Sequence, residues 1–298
     1  RMIFSGCEQM KKIPFHTVLI HGLVRDDKVP EQIQILDERL LSTPPVAIGR
    51  CQEVAETMAR ISMDALRTGC RLIEHYDAKE AQAVRETEKE ADQYEDMLGT
   101  YLVKLGRENL SERDNRQVSK LLHIIGDFER ISDHAVNVVE SAEEMRSKGL
   151  HFSPQAKQEL NVLTSAVGEI MDLSLDAFLK DDPDLAVKVE PLEQVVDTLK
   201  EQLRNRHILR LQRGECTIEL GFVWSDLLTD LERVADHCSN IAVAMIEVSE
   251  DRFDTHEYLN HIKNGESPSF EKRYERYRGR YTFEPGPSGT AAAPEQKK

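Results

Sequence analysis

DFERISDHAVN, residues 127–137, and DLERVADHCSN, residues 230–240, are two copies of one pattern. Both copies begin with Asp, continue through a Glu-Arg pair and an Asp-His pair, and end with Asn in the same register. Self-similarity at a fixed register indicates a repeated structural unit. We therefore expect the chain to fold as two copies of one unit.

Long helices are predicted on both sides of each copy, because apolar residues recur there at helical spacing. Pro44, Pro45 and Pro183 suit helix entrances, whereas Gly149 and Gly214 suit helix ends. The predicted helices cover residues 46–76, 79–105, 111–148, 153–179, 184–212 and 215–248. The sequence has no segments of period two joined by hairpin turns. The predicted fold class is therefore all-α, with two tandem bundles of three long antiparallel helices.

The helices divide the chain into four predicted parts. Residues 46–150 form the first three-helix repeat and residues 151–250 the second. Residues 1–45 precede them as a leader, which we interpret as a juxtamembrane linker. Residues 251–298 form a polar tail that loses the helical period and ends in PGPSGTAAAPEQKK. Such a composition predicts partial disorder.

Charge and cysteine content exclude several classes of protein. The 54 acidic residues outnumber the 39 Lys and Arg and give a formal net charge of -15. This field repels phosphate backbones, so no nucleic-acid partner is expected. The five cysteines form no close pair and no zinc-ligand spacing, which predicts a reducing, cytosolic compartment. The sequence also lacks a glycine-rich phosphate loop and a nucleophile elbow, so we do not expect an enzyme.

Paired carboxylates are the candidate functional residues. Four pairs of acids are spaced at i and i+4 on the second and third helix of each repeat, and each pair lies on the flank of the core face. These residues are Glu88, Asp92, Glu129, Asp133, Glu193, Asp197, Glu232 and Asp236. Like charges at this spacing cost a helix about 0.2–0.5 kcal/mol per pair. If the second and third helices are antiparallel neighbours, their acids converge, and a bound cation would reverse the repulsion.

The donor atoms restrict the predicted metal. Carboxylate oxygens favour magnesium, calcium, manganese or iron over zinc. The candidate cofactor is a divalent or trivalent metal ion, with iron, manganese, magnesium and zinc as candidates, of which these donors favour zinc least. His134 and His237 lie about 100° around the helix from the nearest acid, so they are not predicted ligands. The alternative, that each acidic stripe is a solvated helix face, stays open. Arg130 and Arg233 are expected to pair with Asp127 and Asp230.

These motifs resemble the PhoU family, which has two three-helix repeats with E-x-x-x-D motifs. ERISDHAVNV and ERVADHCSNI are the most specific matching strings, and the resemblance extends from about Val46 to Val248. It implies a regulator of phosphate uptake and phosphate signalling, with multinuclear metal clusters at the eight acids named above. These properties are implied by the resemblance and not by helical periodicity.

A second resemblance concerns residues 36–45, LDERLLSTPP. They are similar to the stretch that joins the membrane part of bacterial sodium/phosphate cotransporters to a cytosolic PhoU-like tail. This resemblance implies the regulatory domain of a sodium-dependent phosphate transporter, at the inner face of the plasma membrane. The expected partner is then a transporter membrane domain in the same full-length chain. The start at Arg1 and the apolar segment Ile13–Val24 fit this expectation.

Two further interpretations stay open. The chain can be a free PhoU regulator that contacts an ATP-driven phosphate transporter complex and its sensor kinase. Phosphate itself and a second copy of the chain are further candidate partners. An enzyme alternative is a ferritin-like, carboxylate-bridged metal oxidase, but this class needs inward-pointing Glu-x-x-His pairs that the motif helices lack.

Overall fold

A computed structural model describes residues 36–250 and 268–283, and these residues are helical without any β-strand. A 3₁₀ turn, Glu38–Ser42, precedes the first long helix. The α-helices are α1 Pro44–Leu72, α2 Ala78–Leu105, α3 Glu112–Lys148, α4 Pro154–Lys180, α5 Pro183–Ala186, α6 Val189–Gln212, α7 Ile218–Glu250 and α8 Pro268–Arg280. The all-α prediction with two tandem helical repeats is confirmed. Residues 1–35 of the predicted leader, including Ile13–Val24, lie outside the described residues.

Capping residues explain where the helices begin and end. The Ser111 side chain accepts a hydrogen bond from the backbone N–H of Asp114 at 3.2 Å, and Ser153 caps α4 in the same way. Both arrangements satisfy amides that a helix start leaves without a partner. Gly149 and Gly214 adopt positive φ angles of 63° and 68° where α3 and α6 end. Only glycine takes this conformation without a steric cost, which is why the sequence predicts both ends correctly.

Two elements differ from the sequence prediction. The fifth predicted helix, residues 184–212, is divided into the single turn α5 and the longer α6. Asp182 caps α5 through its side chain, and α6 begins only at Val189. The tail also contains the thirteen-residue helix α8, which the sequence analysis missed because its segment is dominated by charge and tyrosine. The last fifteen residues, 284–298, lie outside the described part.

Helices α3 and α7 lie at the centre and join the two repeats. Helix α3 packs against α1 and α2 in the first repeat, and α7 packs against α4 and α6 in the second. The two central helices also pack extensively against each other. Their apolar faces, which include Phe128, Ile131, Leu231 and Val234, are fully buried. Trp224 of α7 is buried as well.

A symmetric polar network crosses the joint between the repeats. His134 Nδ1 lies 2.9 Å from Asp230 Oδ1, and His237 Nδ1 lies 2.9 Å from Asp127 Oδ1. His134, later on α3, pairs with Asp230, earlier on α7, whereas Asp127, earlier on α3, pairs with His237, later on α7. The two helices are therefore antiparallel. The prediction that Asp127 and Asp230 pair with arginines of their own helix is therefore wrong.

The arginines instead pair with the E-x-x-x-D motif. Arg130 lies 3.3 Å from Asp133, and Arg233 lies 3.1 Å from Asp236. In both copies the arginine reaches the acid three residues on, which shares its exposed flank.

Helix α8 covers part of the second repeat. It packs against α6, and Arg280 forms an ion pair of 2.5 Å with Glu169 of α4. The ring of Phe283 lies 4.8 Å from the Arg206 guanidinium. None of the described helices, α1 to α8, is both long and apolar enough to cross a membrane.

Candidate functional site: two acidic clusters

The first acidic cluster lies along the groove between α2 and α3. These helices are antiparallel neighbours joined by residues 106–111, as the sequence predicts. Glu88 and Asp92 lie on α2, and Glu129 and Asp133 lie on α3. Burial, followed by repulsion from Asp133 and Asp92, raises the pKa of Glu88 above its ordinary value. The acids of the two helices therefore act on one another across the groove.

Glu129 is the carboxylate of this cluster with the most strongly raised pKa. Burial is the largest of the causes that raise its pKa to about 7, and repulsion from Asp133, Glu95 and Asp92 contributes to the same rise. Arg130 opposes the shift, and its Nε lies 3.5 Å from a Glu129 oxygen. Arg130 is itself largely exposed, so solvent screens much of its attraction. The first cluster thus holds more negative charge than its own cation neutralises.

The second acidic cluster lies along the groove between α6 and α7. Glu193 is buried and Asp197 is exposed on α6, while Glu232 and Asp236 lie on α7. Lys200 Nζ lies 2.9 Å from Glu232 Oε1, and both side chains are mostly shielded from solvent. Burial, followed by repulsion from Glu232, raises the pKa of Asp236. Lys200 thus pairs with a glutamate of the facing helix, whereas its counterpart in the first cluster is the acid Glu95.

The first predicted quartet of acids meets in one groove, where Asp133 repels Glu88 and Asp92 repels Glu129. In the second quartet the ion pair of Lys200 with Glu232 crosses the groove. Neither quartet forms a closed coordination shell. Within residues 36–250 and 268–283, no three carboxylate, imidazole or thiol groups gather in positions that would hold a metal ion. Glu193 enters the core further than predicted, since it is only 8% exposed, whereas Asp197 is exposed. Each cluster is therefore an open row of acids along two helices.

The sequence analysis overlooked two residues of these clusters. Glu95 lies one turn beyond Asp92 and faces Glu129, whose pKa it helps to raise. Lys200 lies at the corresponding position of α6 and pairs with Glu232. A comparison of the two repeats beyond the E-x-x-x-D motifs would have found both, since Glu95 and Lys200 align when the motifs do.

Comparisons with known proteins match both repeats. The family described as "PhoU domain" matches residues 55–142 and again residues 160–245. The PhoU homolog of Pseudomonas aeruginosa, a phosphate-specific transport system accessory protein, is 30% identical over 173 residues, which are 57% of this chain and 70% of that protein. The PhoU homolog 1 of Thermotoga maritima is 25% identical over 161 residues, or 54% of this chain and 68% of that protein.

A relative with a different name matches a longer part of the chain. The putative inorganic phosphate export protein YjbB of Escherichia coli is 21% identical over 227 residues. The match covers 75% of this chain but only 41% of YjbB. The chain therefore spans less than half of that longer protein.

Solved structures share the fold. The crystal structure of PhoU from Pseudomonas aeruginosa aligns with a TM-score of 0.58 and 25% identity, covering 72% of this chain and 99% of that one. PhoU from Streptococcus pneumoniae aligns with a TM-score of 0.62 and 16% identity, covering 70% of this chain and 98% of that one. Because the PhoU domain matches more than half of the chain, once in each repeat, this protein belongs to the PhoU family.

Proposed function

We propose that this protein is a cytoplasmic regulatory subunit that acts with a phosphate transport system at the inner face of the plasma membrane. The observation that carries the proposal is the match of both repeats to the PhoU domain, with all four E-x-x-x-D motifs inside the matched residues. The relatives from Pseudomonas aeruginosa and Thermotoga maritima are named as accessory proteins of phosphate-specific transport. The role proposed is regulatory and not catalytic.

A metal cation at the first acidic cluster belongs to this proposal. Glu88, Asp92, Glu129 and Asp133, with Glu95 beside them, supply only carboxylate oxygens, the ligands that hard cations prefer. The raised pKa of Glu129 supports the fit, because a carboxyl group that resists ionisation is relieved by a nearby cation. A cation bound there would tie α2 to α3 and would supply positive charge on an otherwise acidic surface.

Phosphate uptake by cells tests the regulatory role. Removal of the gene should deregulate uptake of radiolabelled phosphate in phosphate-rich medium, and the wild-type gene should restore control. Affinity purification of the tagged full-length protein from membranes should also recover subunits of a phosphate transporter. Unchanged uptake together with no recovered transporter would reject the proposed function.

The second candidate function is that of a regulatory domain within a larger phosphate transporter. The match to YjbB favours it, since that match covers 75% of this chain against 57% for the Pseudomonas aeruginosa homolog. The accessory role is better supported because that homolog is more similar, at 30% against 21% identity. The printed names of these relatives refer to phosphate transport and phosphate export, and not to sodium coupling.

The full coding sequence distinguishes the two candidates. Several membrane-spanning helices encoded in the same reading frame would establish the larger transporter. A reading frame that encodes only the helical repeats and their flanking segments would establish the separate regulatory subunit.

A further inference from the structure

Residues 88–96 of the first cluster and their counterparts 193–201 differ in charge at three positions, and only the exchange of Glu95 for Lys200 reverses the sign of a charge. Glu88 and Asp92 of α2 align with Glu193 and Asp197 of α6, with a shift of 105 residues in the sequence numbering. The same shift aligns Glu95 with Lys200. The next position is acidic in both repeats, with Asp96 in the first and Glu201 in the second. An acid of the first repeat is therefore replaced by a base in the second, beside three acidic positions that both repeats share.

The exchanged position faces the same partner in each repeat. Helical geometry places residue 95 on the same flank of α2 as Glu88 and Asp92, at about 100° per residue. In the first repeat the carboxylates of Glu95 and Glu129 repel each other. In the second repeat Lys200 lies 2.9 Å from Glu232, which is the counterpart of Glu129. Repulsion in one groove is thus replaced by an ion pair in the other.

The arginines beside the motifs do not account for this difference. Arg130 and Arg233 are counterparts, and their distances to the acid three residues on, 3.3 Å and 3.1 Å, are nearly equal. Both are more than half exposed, so solvent screens them to a similar degree. Lys200 has a side chain that is only 22% exposed, and its partner Glu232 is 15% exposed. Its charge is therefore held inside the groove.

An ammonium group in such a groove competes with a metal ion. It adds one positive charge beside the acids, and it pairs with Glu232 Oε1, an oxygen that would otherwise be a ligand. A metal ion that entered would have to displace Lys200 and also overcome repulsion from its charge.

We propose that Lys200 is the built-in counter-ion of the second cluster, so that this protein takes up its metal cation in the first repeat only. The proposal rests on the cation site of the proposed function and adds that the two repeats are not equivalent. The second cluster is then a permanent structural contact between α6 and α7, whereas the first responds to the supply of cations.

Manganese(II) binding to the full chain tests the proposal, with bound metal measured by equilibrium dialysis and elemental analysis. The double variant Glu129→Gln with Asp133→Asn should lose the manganese uptake that the wild-type protein shows. The double variant Glu232→Gln with Asp236→Asn should take up as much manganese as the wild type. Lys200→Glu should add a second saturable uptake, which Glu232→Gln with Asp236→Asn should remove again. Glu95→Lys should abolish uptake at the first cluster.

Two further variants control for charge and folding. Lys180→Glu makes the same change of charge at an exposed position of α4 and should add no uptake. Lys200→Met removes the ammonium without adding an acid, and it should still increase uptake if Lys200→Glu disturbs folding. Circular dichroism checks the fold of each variant.

The outcomes separate the two claims. If neither Lys200→Glu nor Lys200→Met gains manganese uptake, the role of Lys200 is overturned. Uptake by the wild type that depends on Glu232 and Asp236 would overturn it as well. A wild-type protein without uptake, beside a Lys200→Glu variant that gains it, would reject the first-cluster site and support the role of Lys200.

Discussion

His134 of the first repeat and Asp230 of the second lie 2.9 Å apart, Nδ1 to Oδ1, at the centre of the joint between the repeats. Asn137 donates a second hydrogen bond to the same Asp230 oxygen at 3.0 Å. His237 and Asn240 make the corresponding contacts to Asp127, so each half of the joint supplies the acid for the other half. The repeated Asp, His and Asn of the sequence pattern thus serve the contact between repeats, while its Glu and Asp serve the acidic clusters.

His134→Ala should weaken this joint. The Asp230 side chain is 11% exposed, and it would lose one of its two partners in a poorly solvated place. We expect the free energy of unfolding to fall by about 1–3 kcal/mol in urea titrations. A double-mutant cycle with Asp230→Ala should give a coupling energy of about 0.5–3 kcal/mol. The exposed His75 is the control, since His75→Ala should change stability by less than about 0.5 kcal/mol. Independent effects of the two substitutions would contradict the contact.

Glu159→Ala should be among the most destabilising substitutions in the second repeat. Glu159 is buried, and its two oxygens accept hydrogen bonds from Arg206 at 2.9 Å and Arg210 at 2.6 Å. Its removal leaves the buried Arg210 guanidinium without its acid, which costs about 3–5 kcal/mol. Glu201→Ala breaks an exposed pair with Arg204 and should cost less than about 1 kcal/mol. Equal losses in the two variants would show that the buried pair does not stabilise the fold.

Gly69→Ala and Gly168→Ala should have opposite effects on stability. A Cβ atom at Gly69 would lie 3.0 Å from the carbonyl oxygen of Ala135 on α3, whereas Gly168 has open space around it. Alanine at Gly168 should stabilise α4 by up to about 1 kcal/mol through its helix propensity. Alanine at Gly69 should lower stability because α1 and α3 must move apart. Thermal unfolding of both variants measures the difference, and a stabilised Gly69→Ala would show that this contact can relax.

Glu129→Gln should stabilise the cation-free protein at high pH. The pKa of Glu129 is raised to about 7, so between about pH 4.5 and 7 the folded chain holds a proton that the unfolded chain releases. The contribution of this group to stability therefore falls as pH rises through that window. At pH 8 the variant should be more stable than wild type by about 1–3 kcal/mol, and at pH 4 the two should be equal.

Urea titrations at both pH values measure this effect. The exposed Glu140 on the same helix supplies the control, since Glu140→Gln should show no such dependence. A constant difference between Glu129→Gln and wild type at both pH values would rule out a raised pKa.

The sequence predicts the fold because helix boundaries depend on local chemistry. Gly149, Gly214 and the capping serines act through their own backbone conformation or their nearest amides, so their effect can be read without tertiary structure. The division at α5 and the course of α8 depend on packing against other helices, which local patterns do not contain.

The acidic clusters are predictable only in part. Helical spacing identifies the eight acids because i and i+4 positions share a face. The partner of Asp230 is different, since Arg233 on the same helix and His134, 96 residues away in the sequence, are both candidates, and only the packing of α3 on α7 decides between them. Lys200 was overlooked because a lysine on a helix flank is normally a solvated residue, and its significance depends on Glu232 of the facing helix.

Thermal unfolding with and without manganese(II) tests the cation site of the first cluster most directly. A ligand at about one hundred times its dissociation constant stabilises a folded protein by about 2.7 kcal/mol. For a helical unit of this size, that corresponds to a rise in melting temperature of about 5–10 °C. The wild-type protein should show this rise and lose it with a chelator, and the variant with Glu129→Gln and Asp133→Asn should show none. Equal melting temperatures of the wild type with and without the cation, or an equal rise in the variant, would contradict a cation site at these acids.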